Sequence, residues 1–161
     1  MPHIRVLVPV TASGPRSADD LSGLAAPGVT LSCAFIPEGP PSIESRFDEA
    51  FSVPWLIPLA LDAEREGVDG LVIDCMGDPG LGALREAVDV PVVGVAQAAM
   101  SVAGMLAQRF GVVTVRDRTT TMVNELVDLY GHAGRYVGCA PIDVPVLKIH
   151  DDPGKVRADL S

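Results

Sequence analysis

Short apolar runs alternate along this chain with longer segments spaced for helices, and two of the runs carry no polar residue on either face: Gly70-Leu71-Val72-Ile73 and Pro91-Val92-Val93-Gly94-Val95. A strand with one solvated face alternates apolar and polar side chains, whereas a strand in a parallel sheet covered by helices on both faces does not. Residues 4–10, 29–36 and 110–115 read as further strands, and residues 19–26, 81–88, 97–108 and 118–130 as helices. Residues 46–66 also have helical spacing, but Pro54 and Pro58 predict a break or kink between residues 51 and 57. Residues 136–149 hold one or two extended pieces around Pro141 and Pro145. Met100 and Met105 in the helix over residues 97–108 read as core filling. The alternation specifies an α/β fold built on a doubly wound, mostly parallel sheet. The best internal boundary falls at Val95-Ala96, giving a first lobe of residues 1–95 and a second of 96–161.

Composition removes several classes of function. Twelve Lys and Arg against 21 Asp and Glu give a net charge of −9, with no basic cluster to replace the counterions of a nucleic acid. No apolar run approaches the ~20 residues of a membrane span, and the first residues lack the apolar core of a signal peptide. The expectation is a cytoplasmic protein with neither a nucleic-acid nor a membrane partner. Cys33, Cys75 and Cys139 are odd in number and have no CxxC spacing, which fits reduced thiols. His3, His132 and His150 form no metal-ligand motif, so neither metal nor cofactor is expected. The glycine-rich dinucleotide and P-loop patterns and the G-x-S-x-G elbow are all missing from the sequence.

What remains is Val72-Ile73-Asp74-Cys75-Met76-Gly77-Asp78-Pro79-Gly80-Leu81-Gly82, a strand that breaks at a Gly/Asp/Pro/Gly turn and resumes as a helix. In an open parallel sheet, ligands collect outside the carboxyl ends of the strands, and Cys75 stands at such an end. Helix amides also favour negative charge nearby, so the thiol is expected to ionise more readily than a free one. Free cysteine is often merely a small buried hydrophobe, and Cys33, inside a strand, is read that way. The turn behind Cys75 favours function. Asp78 is read as a cap of the following helix ahead of a ligand contact. Ser42 and Glu44 lie in a loop that is either a lid or a connection.

The chain resembles the Asp/Glu/hydantoin racemase superfamily, and most closely its hydantoin racemase branch. The resemblance is carried by Gly39-Pro40-Pro41-Ser42-Ile43-Glu44, the stretch around Cys75, Pro91 through Ala99, Arg109-Phe110-Gly111-Val112-Val113-Thr114, and Asp143-Val144-Pro145-Val146-Leu147. It implies two similar α/β lobes with the active site between them, and two cysteines acting as acid and base on opposite faces of a carbon acid. Cys75 matches the first. The backbone amides of Met76 and Gly77 would then hold the enolate oxygen, and Thr11, Asp78 and Thr114 become substrate contacts. The resemblance thus implies a cofactor-independent isomerase acting on a small-molecule substrate.

The sequence departs from that pattern twice. By the resemblance it ends before the family's second cysteine, leaving a second lobe that is incomplete and has room for a homo-oligomeric partner. Cys139, in Val137-Gly138-Cys139-Ala140, echoes the second motif but stands too early, so it is read as structural. The family's Asn-Pro-Asn-Thr in the first loop is here Val8-Pro9-Val10-Thr11, which points to a less polar substrate. A cysteine-dependent decarboxylase and a non-catalytic binding homologue are the alternative readings.

Overall fold

The computed structural model describes residues 1–12, 21, 23–149, 151, 154, 156 and 157. Four parallel strands, β1 (His3–Val8), β2 (Thr30–Phe35), β3 (Gly70–Ile73) and β4 (Val92–Gly94), form the first sheet in the order β2-β1-β3-β4. Val6 of β1 faces Cys33 on one side and Val72 on the other. The chain therefore leaves β1 outward to β2 and then crosses to β3 and β4. The winding reverses between β1 and β3, the kind of switch point where open α/β sheets bind ligands.

Both faces of this sheet are covered, as its apolar strands require. Leu7 packs on one face with Leu56, Ala60, Leu71, Ile73 and Leu84, while Val6 and Val8 pack on the other with Leu21. Burial of a side chain such as Leu84 stabilises by about 1.5–3 kcal/mol. Coverage stops at the β4 edge, where Val93 is 42% exposed.

The helix α1 (Arg46–Arg65) starts at a cap that the sequence spells out: Ser45 accepts from the Asp48 amide, and its hydroxyl donates to the Asp48 carboxylate at 2.7 Å. The break expected in this helix does not occur, and α1 runs through Pro54 and Pro58 without interruption. Both prolines are exposed, and so are Ala50 and Pro54, whose carbonyls lose their helical donors and can turn to water. The opposite face buries Ser52, Leu56, Ala60 and Ala63, which holds the helix together against the cost of its prolines.

After α2 (Leu81–Ala87) and β4, the chain passes directly into α3 (Val95–Leu106). A second parallel pair follows, β5 (Phe110–Thr114) and β6 (Tyr136–Pro141), with α4 (Thr119–Leu129) between them in sequence. One extra residue in β6 shifts the register between Phe110 and Val112, and Gly138 takes the shift at φ 137°, a conformation side chains rarely adopt. The core here joins Ala96 and Met100 of α3 to Val123, Leu126 and Val127 of α4. Met105 is 82% exposed, against expectation, because five residues on an α-helix turn it well away from the face of Met100. Val146–Lys148 forms a 3-10 turn started by Pro145 rather than an extended piece. Of the helix expected over residues 19–26, Leu21, Gly23 and Leu24 make a tight 3-10 turn, and residues 19, 20 and 22 lie outside the described residues. The same holds for residues 13–15 of the first loop, His150, and residues 152, 153, 155 and 158–161 of the tail. Among the described residues, no helix is long and apolar enough to cross a membrane.

Candidate active site

Between the two sheets lies a cleft of about 380 Å³. Two strand-to-helix tips meet there. From the first sheet come Val8 and Val10 beyond β1, and Asp74, Cys75, Met76 and Gly77 beyond β3. From the second come Val113, Thr114 and Val115 at the end of β5, and Thr119, Met122 and Val123 on α4. Ser42 and Ile43 of the β2–α1 loop and Val146 and Ile149 after β6 complete the wall.

Cys75 sits two residues past the end of β3, just after Asp74, whose amide donates to Leu7 O at 2.9 Å. Its carbonyl accepts from the Asp78 amide at 3.0 Å, closing the turn, and the Gly77 N–H points at Cys75 Sγ at 3.5 Å. Burial pushes the thiol up to about 12; the Gly77 amide opposes this, and the carboxylates of Glu49, Asp78 and Asp74 add to it. The expectation that this thiol ionises easily is therefore overturned. Loss of water and three nearby negative charges outweigh one amide, and α2 spans only seven residues.

Of the other expected contacts, Met76, Gly77 and Thr114 line the cleft. The Gly77 amide is spent on the sulfur rather than left for an enolate oxygen. The Thr119 hydroxyl donates to Arg116 O at 2.6 Å, so the Thr114 hydroxyl, 2.6 Å from it, is the donor between the two. Thr114 thus presents only lone pairs to a ligand. Thr11 stands outside the lining, its amide donating to Pro40 O at 3.1 Å. Asp78 is also outside it: the carboxylate is buried and accepts from the Ala96 and Gln97 amides, each at 2.9 Å, and from the Tyr130 hydroxyl at 2.7 Å.

Thr119, Met122, Val146 and Ile149 were not expected in the wall. Their sequence signal is weak, because the apolar spacing of α4 reads only as core. Glu44, read as part of a lid or a connection, pins the cleft's rim. Its carboxylate accepts from Val146 N at 2.9 Å and lies 3.9 Å from Arg116, joining the β2–α1 loop to the turn after β6. Cys139 packs into the core beside β5, and Tyr136 and Thr120 are its polar neighbours. Among the described residues, no group of three or more His, Cys, Asp or Glu is placed to hold a metal ion.

A strand-end thiol thus stands at the switch point of one sheet and faces a second sheet across the cleft. The protein-family model described as Asp/Glu/Hydantoin racemase matches residues 16–161. The chain belongs to the Asp/Glu/hydantoin racemase family. It is 49% identical over 115 residues to a hydantoin racemase of Pseudomonas sp. (strain NS671), covering 71% of this chain and 46% of that protein. To a hydantoin racemase of Rhizobium meliloti it is 41% identical over 118 residues, 73% of this chain and 49% of the relative. The chain thus spans about half the length of these curated relatives. The fold superposes on allantoin racemase from Klebsiella pneumoniae with a TM-score of 0.92 and 35% identity, over 99% of this chain and 66% of that structure. The α/β architecture with parallel sheets is therefore the family's own.

Proposed function

We propose that Cys75 takes a proton from, and returns one to, the carbon beside a carbonyl of a small neutral ring, the proton-exchange step of a racemase-like isomerase acting on hydantoin-type substrates. The observation that supports this most directly is the cleft itself: one thiol, an amide aimed at its sulfur, and a facing wall whose Thr114 hydroxyl accepts hydrogen bonds. A cyclic ureide offers N–H groups to that wall. Among the described residues, no Lys or Arg lines the cleft and carboxylates stand near the thiol, so an anionic substrate would meet repulsion from them. The names of the relatives, hydantoin and allantoin racemases, agree with a neutral ring.

In the step, the thiolate removes the α-proton, the C–H electron pair becomes a carbon–carbon double bond as the carbonyl π pair moves onto oxygen, and reprotonation of the enolate at carbon regenerates the carbonyl. Return of the proton to the face it left gives exchange without inversion. Inversion needs a donor on the far face, and Cys139 does not line the cleft. A thiol at about 12 is roughly one part in ten thousand ionised at pH 8, but its thiolate is a correspondingly strong base. That low population is also the one observation favouring a second reading, a protein that binds such rings without turning them over.

The test is to incubate the protein in heavy water with 5-substituted hydantoins, allantoin, amino acids and arylmalonates, following the α-proton by NMR and the optical rotation in parallel. Exchange with the neutral rings, rising about tenfold per pH unit through the mildly alkaline range, is the expected result. Binding of the rings without exchange would establish the second reading, and exchange confined to the anionic acids would defeat the assignment of substrate class.

A further inference from the structure

Gly94 is the N-cap residue of α3 and has no side chain with which to cap it. Asp78 fills the vacancy from 16 positions earlier in the chain: its carboxylate accepts from the Ala96 and Gln97 amides of the first turn of α3. A Cβ on Gly94 would lie 2.4 Å from that carboxylate, so the glycine leaves space for the borrowed cap. The Tyr130 hydroxyl at the end of α4 donates to the same group. Asp78 itself holds a left-handed φ of 46°, a conformation that non-glycine residues adopt at a cost. Strain, burial and three hydrogen bonds thus concentrate on one residue, three positions after the cleft thiol.

We propose that Asp78 is a positioning residue: by clamping the turn after β3 to the start of α3 and the end of α4, it fixes the Cys75 sulfur and the Gly77 amide against the wall formed by the second sheet. The inference rests on Cys75 being the reacting thiol. The Asp78 amide closes the turn onto Cys75 O, so a carboxylate held by α3 and α4 carries its anchorage straight to the thiol. An Asp at this place serves the far sheet as a cap and the near turn as an anchor. A cap built into α3 itself would provide only the first.

That difference separates positioning from ordinary stabilisation. The Asp78→Gly variant suits the left-handed backbone but loses the clamp. The double variant Asp78→Gly with Gly94→Asp places a carboxylate on the N-cap residue, whose φ of −89° and ψ of 134° accept an N-cap side chain. Melting temperature, kcat and KM for α-proton exchange, and the rate of Cys75 alkylation by iodoacetamide, mapped by mass spectrometry with Cys139 as internal reference, are measured on the full chain. The single variant is expected to melt lower and the double variant to recover. In both, kcat falls about tenfold to a hundredfold with KM within about threefold, the cost of a small misplacement of reacting groups. Alkylation of Cys75 rises severalfold against Cys139 in both. Recovery of kcat together with melting temperature, or Cys75 alkylation unmoved in the double variant, would overturn the proposal. Exchange unaffected by Cys75→Ser would instead remove the thiol reading beneath it.

Discussion

Two strand-to-helix tips meet at the cleft, and they are finished differently. The tip after β3 ends in a thiol, an amide pointing at it and a carboxylate clamped elsewhere. The tip after β5 ends in two hydroxyls, Thr114 and Thr119, tied in series to Arg116 O. The first tip stores a group that can give up a proton. The second presents lone pairs that cannot change charge near neutral pH. The lesson is a division of labour within one repeated element: chemistry is placed on one side and recognition on the other.

The comparison breaks most sharply at its two later cysteines. Cys75→Ser is expected to lower α-proton exchange about a thousandfold or more, the scale of losing the reacting base, whereas Cys139→Ser changes it less than about threefold. Equal losses would mean that Cys75 is not the reacting thiol. Next in size is Thr119→Val. It keeps the shape and leaves Arg116 O the Thr119 amide at 3.0 Å, but removes the acceptor of the Thr114 hydroxyl, at a cost of about 1–3 kcal/mol seen as a lower melting temperature, with exchange slowed about tenfold. A variant that melts as the parent does would deny the hydroxyl chain its structural role.

A further effect, confined to alkaline solution, is on stability against pH. The folded protein holds the Cys75 proton up to about 12, while the unfolded chain releases it near 9.0. Between those values the unfolded state binds fewer protons, so rising pH favours unfolding. The contribution is fully present below pH 9 and is lost through the folded value, at no more than about 1.4 kcal/mol per pH unit. Melting curves between pH 8 and 11 should fall more steeply for the parent than for Cys75→Ser, and parallel curves would contradict the burial of the thiol.

The first sheet was legible because its signal is local. Apolar runs, Gly67 closing α1 at φ 80° and the Ser45 cap each declare themselves within a few residues. The continuity of α1 was not legible, because whether a proline breaks a helix depends on which way it faces, and burial on the other side decided it. In the site, Cys75 was marked by its turn, while its acidity was misjudged. The helix amide is visible in the sequence, but Glu49 approaches from α1 and the desolvating walls come from the second sheet. The sequence marks Asp78 as a cap of the following helix, but the helix it caps is α3, reached only through the tertiary fold. The valines and methionine opposite were invisible for the same reason, since a helix pattern shows that a face is apolar and not what it faces.

Ligand protection of the thiols tests the two-tip account most directly. The protein is alkylated at pH 9 with and without a saturating 5-substituted hydantoin, and the rate at each cysteine is read by mass spectrometry. The account predicts that the ring slows alkylation of Cys75 at least about fivefold, the occupancy expected when free ligand exceeds its dissociation constant severalfold, and leaves Cys139 unchanged. Protection of Cys139 with Cys75 unprotected would contradict it.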